Sequence, residues 1–133
     1  MVHKVCLYSQ YFLIRCFHKQ YGVVKIMKVY FLGAYSAEGH RGMMESSFSA
    51  RKQAVSVMLE KVGGKIVSMS YLQGDFDVIA ELELDSYETA SGLRATMILS
   101  GGWDELLMLP EMDVDKAITA ARKSGGYPMP GQE

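Results

Sequence analysis

The chain contains 133 residues, of which 49% are hydrophobic and 22% charged, and its formal net charge at pH 7 is −1. Such values are typical of one soluble globular domain with a single core. No apolar run is long enough to span a bilayer, and the residues after Ile26 are mildly acidic. We therefore expect no membrane segment and no basic face for nucleic acid.

Residues 1–26 differ in composition from the rest of the chain. They carry four basic side chains, no acidic one, and both cysteines of the chain, Cys6 and Cys16. Polar residues interrupt their apolar run, and no convincing small-residue cleavage site is present, so the segment is a poor signal peptide. We expect it to be poorly ordered and dispensable, with Met27 as the natural start. The alternatives are an added edge strand at Tyr11–Phe17 or a weak anchor.

A domain without cysteines is consistent with a reducing cytoplasm, where we place the protein.

The first predicted core element is a strand over Met27–Tyr35, in which both alternating sets of side chains are apolar. A strand of this kind is usually covered on both faces. The next stretch, Ser36–Glu45, contains two glycines and the domain's only histidine, His40. We predict a loop there.

A helix is predicted over Ser46–Val62, capped by Ser47 or Ser49. Apolar residues that recur at helical spacing should form its buried stripe, and these are Val55, Met58, Leu59 and Val62. The residues expected to face water are Arg51, Lys52, Ser56 and Glu60. Gly63-Gly64 is predicted to end the helix in the left-handed conformation.

An antiparallel hairpin is predicted from the strands Lys65–Leu72 and Phe76–Leu84, which Gln73-Gly74-Asp75 connects. The second strand alternates between two faces. Its core face comprises Val78, Ala80, Leu82 and Leu84. Its other face, which is partly polar, comprises Asp77, Ile79, Glu81 and Glu83.

The hairpin also carries a resemblance to a known family. The residues GDFD at Gly74–Asp77, with the preceding GGK at Gly63–Lys65, resemble the signature of the GYD-domain family. Phe76 stands where that family has tyrosine, so the matching positions are Gly74, Phe76 and Asp77. The strand VYFLGAYSAEG resembles the family too, and the likeness runs from about Met27 to Leu109. It implies a small bacterial protein with a ferredoxin-like α+β fold, related to dimeric α+β barrels, and no particular substrate.

The second half of the chain reads as helix, strand and helix. Asp85 or Ser86 should cap a helix to about Leu99, with Glu88 placed for a capping box and a stripe of Ala90, Leu93 and Met97. A strand over Trp103–Leu109 is apolar in both alternations, and Pro110 closes it. A helix over Asp113–Lys123 should turn inward Val114, Ala117, Ile118 and Ala121. Residues 125–133 are a predicted tail.

The predicted order is βαββαβ plus a C-terminal helix over residues 27–124, with strand order 4-1-3-2 if the fold is ferredoxin-like. Strands one and four are then neighbours, and both are apolar on both faces. Helices cover only one face of the sheet, so the other face would expose about four large apolar side chains. Leaving them in water would lose on the order of 5 to 10 kcal/mol of hydrophobic free energy. That is comparable with a domain's whole stability. We therefore predict a homodimer that packs sheet against sheet.

Candidate site residues are the aromatic and acidic side chains near the hairpin and the loop. Tyr35, Tyr71 and Trp103 are expected to line a cavity rim, where aromatics recognise small planar molecules, although core filling explains them equally well. His40 and Asp77 are the candidate catalytic and ligand-binding pair. The alternative makes His40 an exposed loop residue and Asp77 a backbone partner at the hairpin.

No zinc spacing, Walker motif or nucleophile elbow is present, so no cofactor or metal is predicted. Glu81 and Glu83 share a face but lack a nearby histidine or cysteine, and we expect them to meet basic residues across an interface, for example Arg94 or Arg51.

Three functions are compatible with these features. The preferred hypothesis is a non-catalytic dimer that binds a small molecule or acts as a regulatory accessory. The second is a cofactor-independent oxygenase or isomerase that uses His40 with Asp77 or a tyrosine. The third is a purely structural assembly module. A buried His40 within hydrogen-bond reach of Asp77, Tyr35 or Tyr71 would favour the enzyme, and an exposed one would count against it.

Overall fold

The structure is a computed structural model and describes residues 25–133. The predictions for the leader, including the edge strand or anchor at Tyr11–Phe17, lie outside the described residues. The secondary-structure elements, in chain order, are β1 (Met27–Tyr35), α1 (Ala37–Met44), α2 (Phe48–Glu60), β2 (Lys65–Tyr71), β3 (Val78–Leu84), α3 (Tyr87–Leu99), β4 (Trp103–Pro110) and α4 (Val114–Lys123).

The four strands form one antiparallel sheet in the order β2-β3-β1-β4. This is the predicted order read from the other edge, so the ferredoxin-like α+β fold is confirmed. The first helical crossover places β2 one strand away from β1, and the hairpin then inserts β3 between them. The second crossover places β4 on the other side of β1, which therefore lies at the centre.

One face of the sheet is covered by α2, which packs on β2, and by α3, which packs on β3 and β4. The predicted alternation of β3 is confirmed, since its four core-face residues are buried. The buried core comprises Val29, Phe31, Tyr35, Leu59, Val78, Ala80, Leu82, Leu84, Ala90, Leu93 and Leu106. The prediction for Val62 is wrong: its side chain is exposed, because α2 ends at Glu60 and Val62 lies in the following turn.

The segment predicted as the histidine-bearing loop is instead the helix α1. Ser36 caps it by accepting a hydrogen bond from the Gly39 amide, and Glu38 and Arg41 lie at the ends that suit their charges. The Ser36 amide and hydroxyl also donate to the carbonyls of Gly102 and Gly101, over 3.0 and 2.6 Å. These bonds attach the start of α1 to the turn before β4. The glycine content of the segment indicated a loop and gave no sign of this attachment.

Gly63, predicted to end its helix in the left-handed conformation, has a positive φ angle, as do Gly101 and Gly125 after the two later helices, and all three angles are near 75°. In the hairpin, Gly74 has a φ of 132°, a conformation that favours glycine over other residues. The Leu72 amide closes the hairpin by donating to the Asp77 carbonyl over 2.8 Å.

The opposite face of the sheet carries apolar side chains that no helix of residues 25–133 covers. Leu32 pairs with Ile79 on one side and with Leu107 on the other, and Tyr30 pairs with Leu109, which is 47% exposed. We call this surface the open sheet face and define it by Tyr30, Leu32, Ala34, Ile79, Leu107 and Leu109. Glu81 lies beside it and pairs with Lys28 over 3.2 Å. The basic partner of Glu81 is therefore on the adjacent strand, and neither Arg51 nor Arg94 takes that role in this chain.

The inward orientation predicted for the last helix is wrong. In α4 the side chains of Val114 and Ile118 are 57% and 43% exposed, and Ala117 alone is half-buried. The helix comes after Glu111, whose amide makes the last bond to β1 at Lys28. The chain has by then left the edge of the sheet, so no element of residues 25–133 covers the apolar stripe of α4.

Candidate functional site

An aromatic cluster lies where β1 ends and β4 begins. Tyr35 and Trp103 stack with ring centroids 4.4 Å apart, and the edge of Phe31 meets Trp103 at 5.2 Å. Tyr71, at the end of β2, lies 6.4 Å from Tyr35, and Phe48, at the start of α2, lies 5.7 Å from Tyr71. Antiparallel pairing brings these strand ends together, and a bulge between Ala34 and Tyr35 sets Tyr35 opposite Trp103.

Hydroxyl groups link the two tyrosines of this cluster. The Tyr35 and Tyr71 oxygens are 3.0 Å apart, and the Tyr71 hydroxyl donates to the Met43 sulfur over 3.4 Å. Either hydroxyl can donate in the bond between the two tyrosines. Burial raises the pKa of Tyr35 above its ordinary value, the bond to Tyr71 acts in the same direction, and the Arg51 guanidinium opposes it. Tyr35 is therefore a neutral phenol at physiological pH.

Asp77 joins the hairpin to β1. Its amide donates to the Gly33 carbonyl over 2.9 Å, and its carboxylate accepts from the Tyr35 amide over 2.8 Å. These bonds continue the β1–β3 pairing past Val78, where the regular ladder ends. The side chain is occupied by the backbone of its own sheet, as the structural interpretation of this residue predicts.

His40 lies on α1 next to Asp77 but on the outside of the molecule. Its Nε2 atom is 3.6 Å from the Asp77 carboxylate, and its side chain is 59% exposed. Its ring meets the edge of Tyr35 with centroids 5.7 Å apart. The distance to Asp77 is longer than a hydrogen bond. His40 thus has neither the burial nor the close acidic partner expected of a general base.

Two recesses open on the helix side of the sheet, with volumes of about 240 and 290 Å³. Arg51, Ser100 and Trp103 line both of them. One recess lies between α2 and α3 and includes Ala54, Val55, Met58, Thr96 and Met97. The other lies under α1 and includes Tyr35, Gly39, Gly42, Met43, Ser46 and Gly102. We call the two recesses together the helix-side cleft.

Among the residues that the structure describes, Arg51 is the one charged residue that lines either recess. It also borders a core cavity of about 20 Å³ beneath them, which has room for about one water molecule. The ion pairs of lysine and arginine found among residues 25–133 have Lys28, Arg41 and Lys116 as their cationic partners. Arg51 has no carboxylate partner within this part of the chain, although it is half-buried.

The structure brings Tyr35 and Trp103 onto the helix-side cleft, as partners in one stack. It places Tyr71, His40 and Asp77 beside that stack, and none of the three lines either recess.

Arg51 was predicted to face water, and this is wrong. Its spacing to Val55, Met58 and Leu59 puts it on the same helical face as the buried stripe, one turn earlier, and that spacing was the available signal.

Other features of the described chain bear on the class of protein. Across residues 25–133, no three His, Cys, Asp or Glu side chains lie together as a metal site would need. In the same residues, no helix has the length and apolar content to cross a membrane. What the fold and the site define is a ferredoxin-like α+β protein with an apolar, aromatic cleft between its sheet and its helices.

This chain belongs to the GYD-domain family. The family's model matches residues 30–121, which include most of the sheet and both helices packed on it. The resemblance seen in the hairpin residues is thereby confirmed. Comparisons with curated proteins and with solved structures gave no match.

Proposed function

We propose that the protein is a non-catalytic homodimer that binds a small organic molecule in the helix-side cleft. The observation that carries the proposal is the Arg51 guanidinium, which has no carboxylate partner among residues 25–133, in a concave site walled by Tyr35 and Trp103. Ligand sites are usually apolar and aromatic concavities with a few polar groups that fix orientation. A half-buried guanidinium without an anionic partner is costly unless something else meets its charge.

The dimensions of the cleft suit a small ligand. Each recess is slightly smaller than the roughly 300 to 1,000 Å³ of sites for drug-sized molecules. Methionine side chains line both recesses, and their flexible thioethers adapt to different apolar shapes. The site therefore favours a compact organic molecule over a dinucleotide or a polymer.

The catalytic alternative has less support. An enzyme that used His40 as its base would need that side chain inside the cleft or held firmly by an acid. His40 is instead exposed, 3.6 Å from an Asp77 carboxylate that is bound to the backbone. The alternative of a purely structural module would leave the cleft without a ligand.

The dimer is part of the proposal, and the open sheet face supports it. A second copy packed on this face would bury the apolar side chains of β1, β3 and β4 that the helices of the described chain leave uncovered. The stripe of α4 begins shortly after β4 leaves the edge of the same surface. A second copy is therefore also the partner that we propose for α4.

The location that we propose is the reducing cytoplasm, because the sequence from Met27 onward contains no cysteine.

Fluorescence of Trp103 tests the binding proposal, because it is the only tryptophan in the chain. A library of small organic compounds should include members that change its emission in a saturable way. The Ala54→Phe variant fills one recess, since Ala54 lines it, and should weaken such binding at least tenfold. Ala95→Phe adds the same side chain on an exposed part of α3 outside the cleft and should leave binding unchanged.

Two outcomes would contradict the proposal. One is a library without any compound that affects Trp103. The other is a set of binders whose affinity is the same in the wild-type protein and in Ala54→Phe, which would place them away from the cleft.

A further inference from the structure

We infer that the ligand of the helix-side cleft is a small monocarboxylate with an apolar, planar body, and that Arg51 binds its carboxylate. The inference rests on the proposed function and specifies the chemistry of that site. Among the described residues, the lining of the helix-side cleft comprises one cation, Arg51, and no anion.

The charge at Arg51 is reinforced by its position in the chain. Arg51 lies in the first turn of α2, and its amide makes the first bond of that helix to the Ser47 carbonyl. The first turn contains no acidic residue, so the positive end of the helix dipole is not compensated there. Ser46, just before the helix, lines the recess that Arg51 shares with Tyr35. The site thus has a positive potential at one point of an otherwise neutral wall.

A guanidinium is suited to a carboxylate because its planar fork can donate two parallel hydrogen bonds. A single guanidinium balances a single negative charge. A dianion such as a phosphate monoester would keep one charge unmet in an apolar cleft, which is strongly unfavourable. These considerations favour one carboxylate on the ligand.

The rest of the lining determines the body of the ligand. Trp103 and Tyr35 stack with an interplanar angle of 22° and present aromatic surface to the cleft. Val55, Met58 and Met97 add apolar surface on the side between α2 and α3. Stacking on aromatic rings favours a planar group. An inorganic anion would leave these surfaces unused.

The test uses matched acids and amides with the full-length protein. The side chain of Trp103 gives a single indole N–H signal in a proton–nitrogen NMR spectrum, which reports on the cleft. Benzoate, trans-cinnamate, phenylacetate and hexanoate would each be titrated beside the corresponding primary amide, with inorganic phosphate as a further probe. We expect the planar acids to shift the Trp103 signal in a saturable way and to bind at least tenfold more tightly than their amides. Phosphate should have no such effect.

Variants identify the group that recognises the charge. Arg51→Met removes the charge and keeps an extended apolar side chain, and it should abolish the preference for acids over amides. Lys52→Met is the matched control, because Lys52 is an exposed cation on the same helix that does not line the cleft. It should retain the preference. The thermal midpoint of each variant shows that the fold is intact.

The outcomes separate this inference from the function on which it rests. If amides bind as tightly as acids, or if Arg51→Met keeps the preference for acids, the inference is wrong while the cleft remains a binding site. A Trp103 shift with phosphate as large as that with the acids would also overturn it. If no acid and no amide affects Trp103, the inference fails, and the library titration of the wild-type protein decides the proposed function separately.

Discussion

At the scale of single residues, Asp77 joins two strands through its main chain and its side chain. The GYD signature places it directly after the hairpin turn, where the β1–β3 pairing has one more amide to satisfy. Its carboxylate accepts from the Tyr35 amide, and Tyr35 carries the stack with Trp103. The motif thus positions one wall of the helix-side cleft without lining it.

Replacing Asp77 with alanine should lower the free energy of unfolding by about 1 to 3 kcal/mol, because the Tyr35 amide would lose a charged acceptor at a partly buried position. Asp77→Asn keeps an oxygen acceptor and should have a smaller effect. Equilibrium unfolding in urea measures both. Asp75→Ala, in the exposed part of the same turn, should change stability by no more than about 0.5 kcal/mol. Equal losses for Asp75 and Asp77 would show that the carboxylate bond to Tyr35 has no special role.

Tyr35 should give the protein a stability that depends on pH in the alkaline range. Its folded pKa is raised, so above about pH 10 the unfolded chain releases this proton while the folded chain retains it. The unfolded state then binds fewer protons, and the free energy of unfolding falls as the pH rises. Tyr35→Phe removes this contribution, so its unfolding free energy should fall less between about pH 9 and about pH 11. Urea unfolding at several pH values measures this, and parallel curves for the two proteins would refute it.

The sequence indicated the aromatic residues of the cleft but not its charge. Tyr35 and Trp103 could be identified because large aromatics at the ends of two predicted neighbouring strands must meet. Arg51 was assigned to the solvent-facing side, since arginine on a helix usually faces water. Its role depends on a concavity between α2 and α3, and that shape results from packing rather than from the spacing of one helix.

At the scale of elements, α1 forms one wall of the helix-side cleft and depends on a close contact. Gly39 lies against the Gly102 backbone and the Tyr35 ring, so that a Cβ atom there would meet both. This contact, with the Ser36 bonds to Gly101 and Gly102, holds α1 over the start of β4. The glycines of this segment look like loop residues in the sequence, although one of them permits a helix to approach the turn.

Gly39→Ala should lower the free energy of unfolding by about 1 to 3 kcal/mol, because the added methyl group overpacks against main-chain atoms. It should also weaken ligand binding, because the clash with the Gly102 backbone would displace α1 from its place at the wall of a recess. Gly42→Ala is the control on the same helix, where a Cβ atom would meet nothing within 4 Å. That change should leave stability the same or raise it by up to about 1 kcal/mol. Urea unfolding and Trp103 titrations compare the variants, and equal stabilities would show that α1 does not depend on the contact.

The elements that the sequence predicted well are those with strong periodicity or clear caps. The alternation of β3 and, in α3, the stripe residues Ala90 and Leu93 correspond to buried residues in the structure. The helix α4 has an equally clear stripe, yet its large apolar residues are exposed within the described chain. Periodicity indicates which face of a helix is apolar, but it does not say whether the covering surface belongs to the same chain.

At the scale of the whole molecule, two apolar surfaces remain uncovered within residues 25–133, the open sheet face and the stripe of α4. Since α4 follows β4 directly in the chain, we propose that both surfaces belong to one symmetric interface, to which each copy contributes both. Exposed apolar patches of this kind commonly mark interaction sites. The helix-side cleft lies on the other side of the sheet, so the proposed dimer leaves it accessible to a ligand.

Leu32→Glu should dissociate the dimer, because it places a charge at the centre of the open sheet face, between Ile79 and Leu107. Ile118→Glu should weaken it through α4. Val57→Glu adds the same charge at an exposed site on α2 and should not affect association. Sedimentation velocity should give the wild-type protein and Val57→Glu the mass of two 14.8 kDa chains, about twice the mass of one. A wild-type protein that stays at 14.8 kDa at high concentration would refute the dimer.

The most direct test of the binding site is a crystal structure of the protein with the tightest planar acid found by titration. We predict density for the acid in the helix-side cleft, with its carboxylate about 2.7 to 2.9 Å from the Arg51 nitrogens and its planar group against Trp103. An acid bound elsewhere, or a saturated crystal whose cleft is empty, would contradict this account.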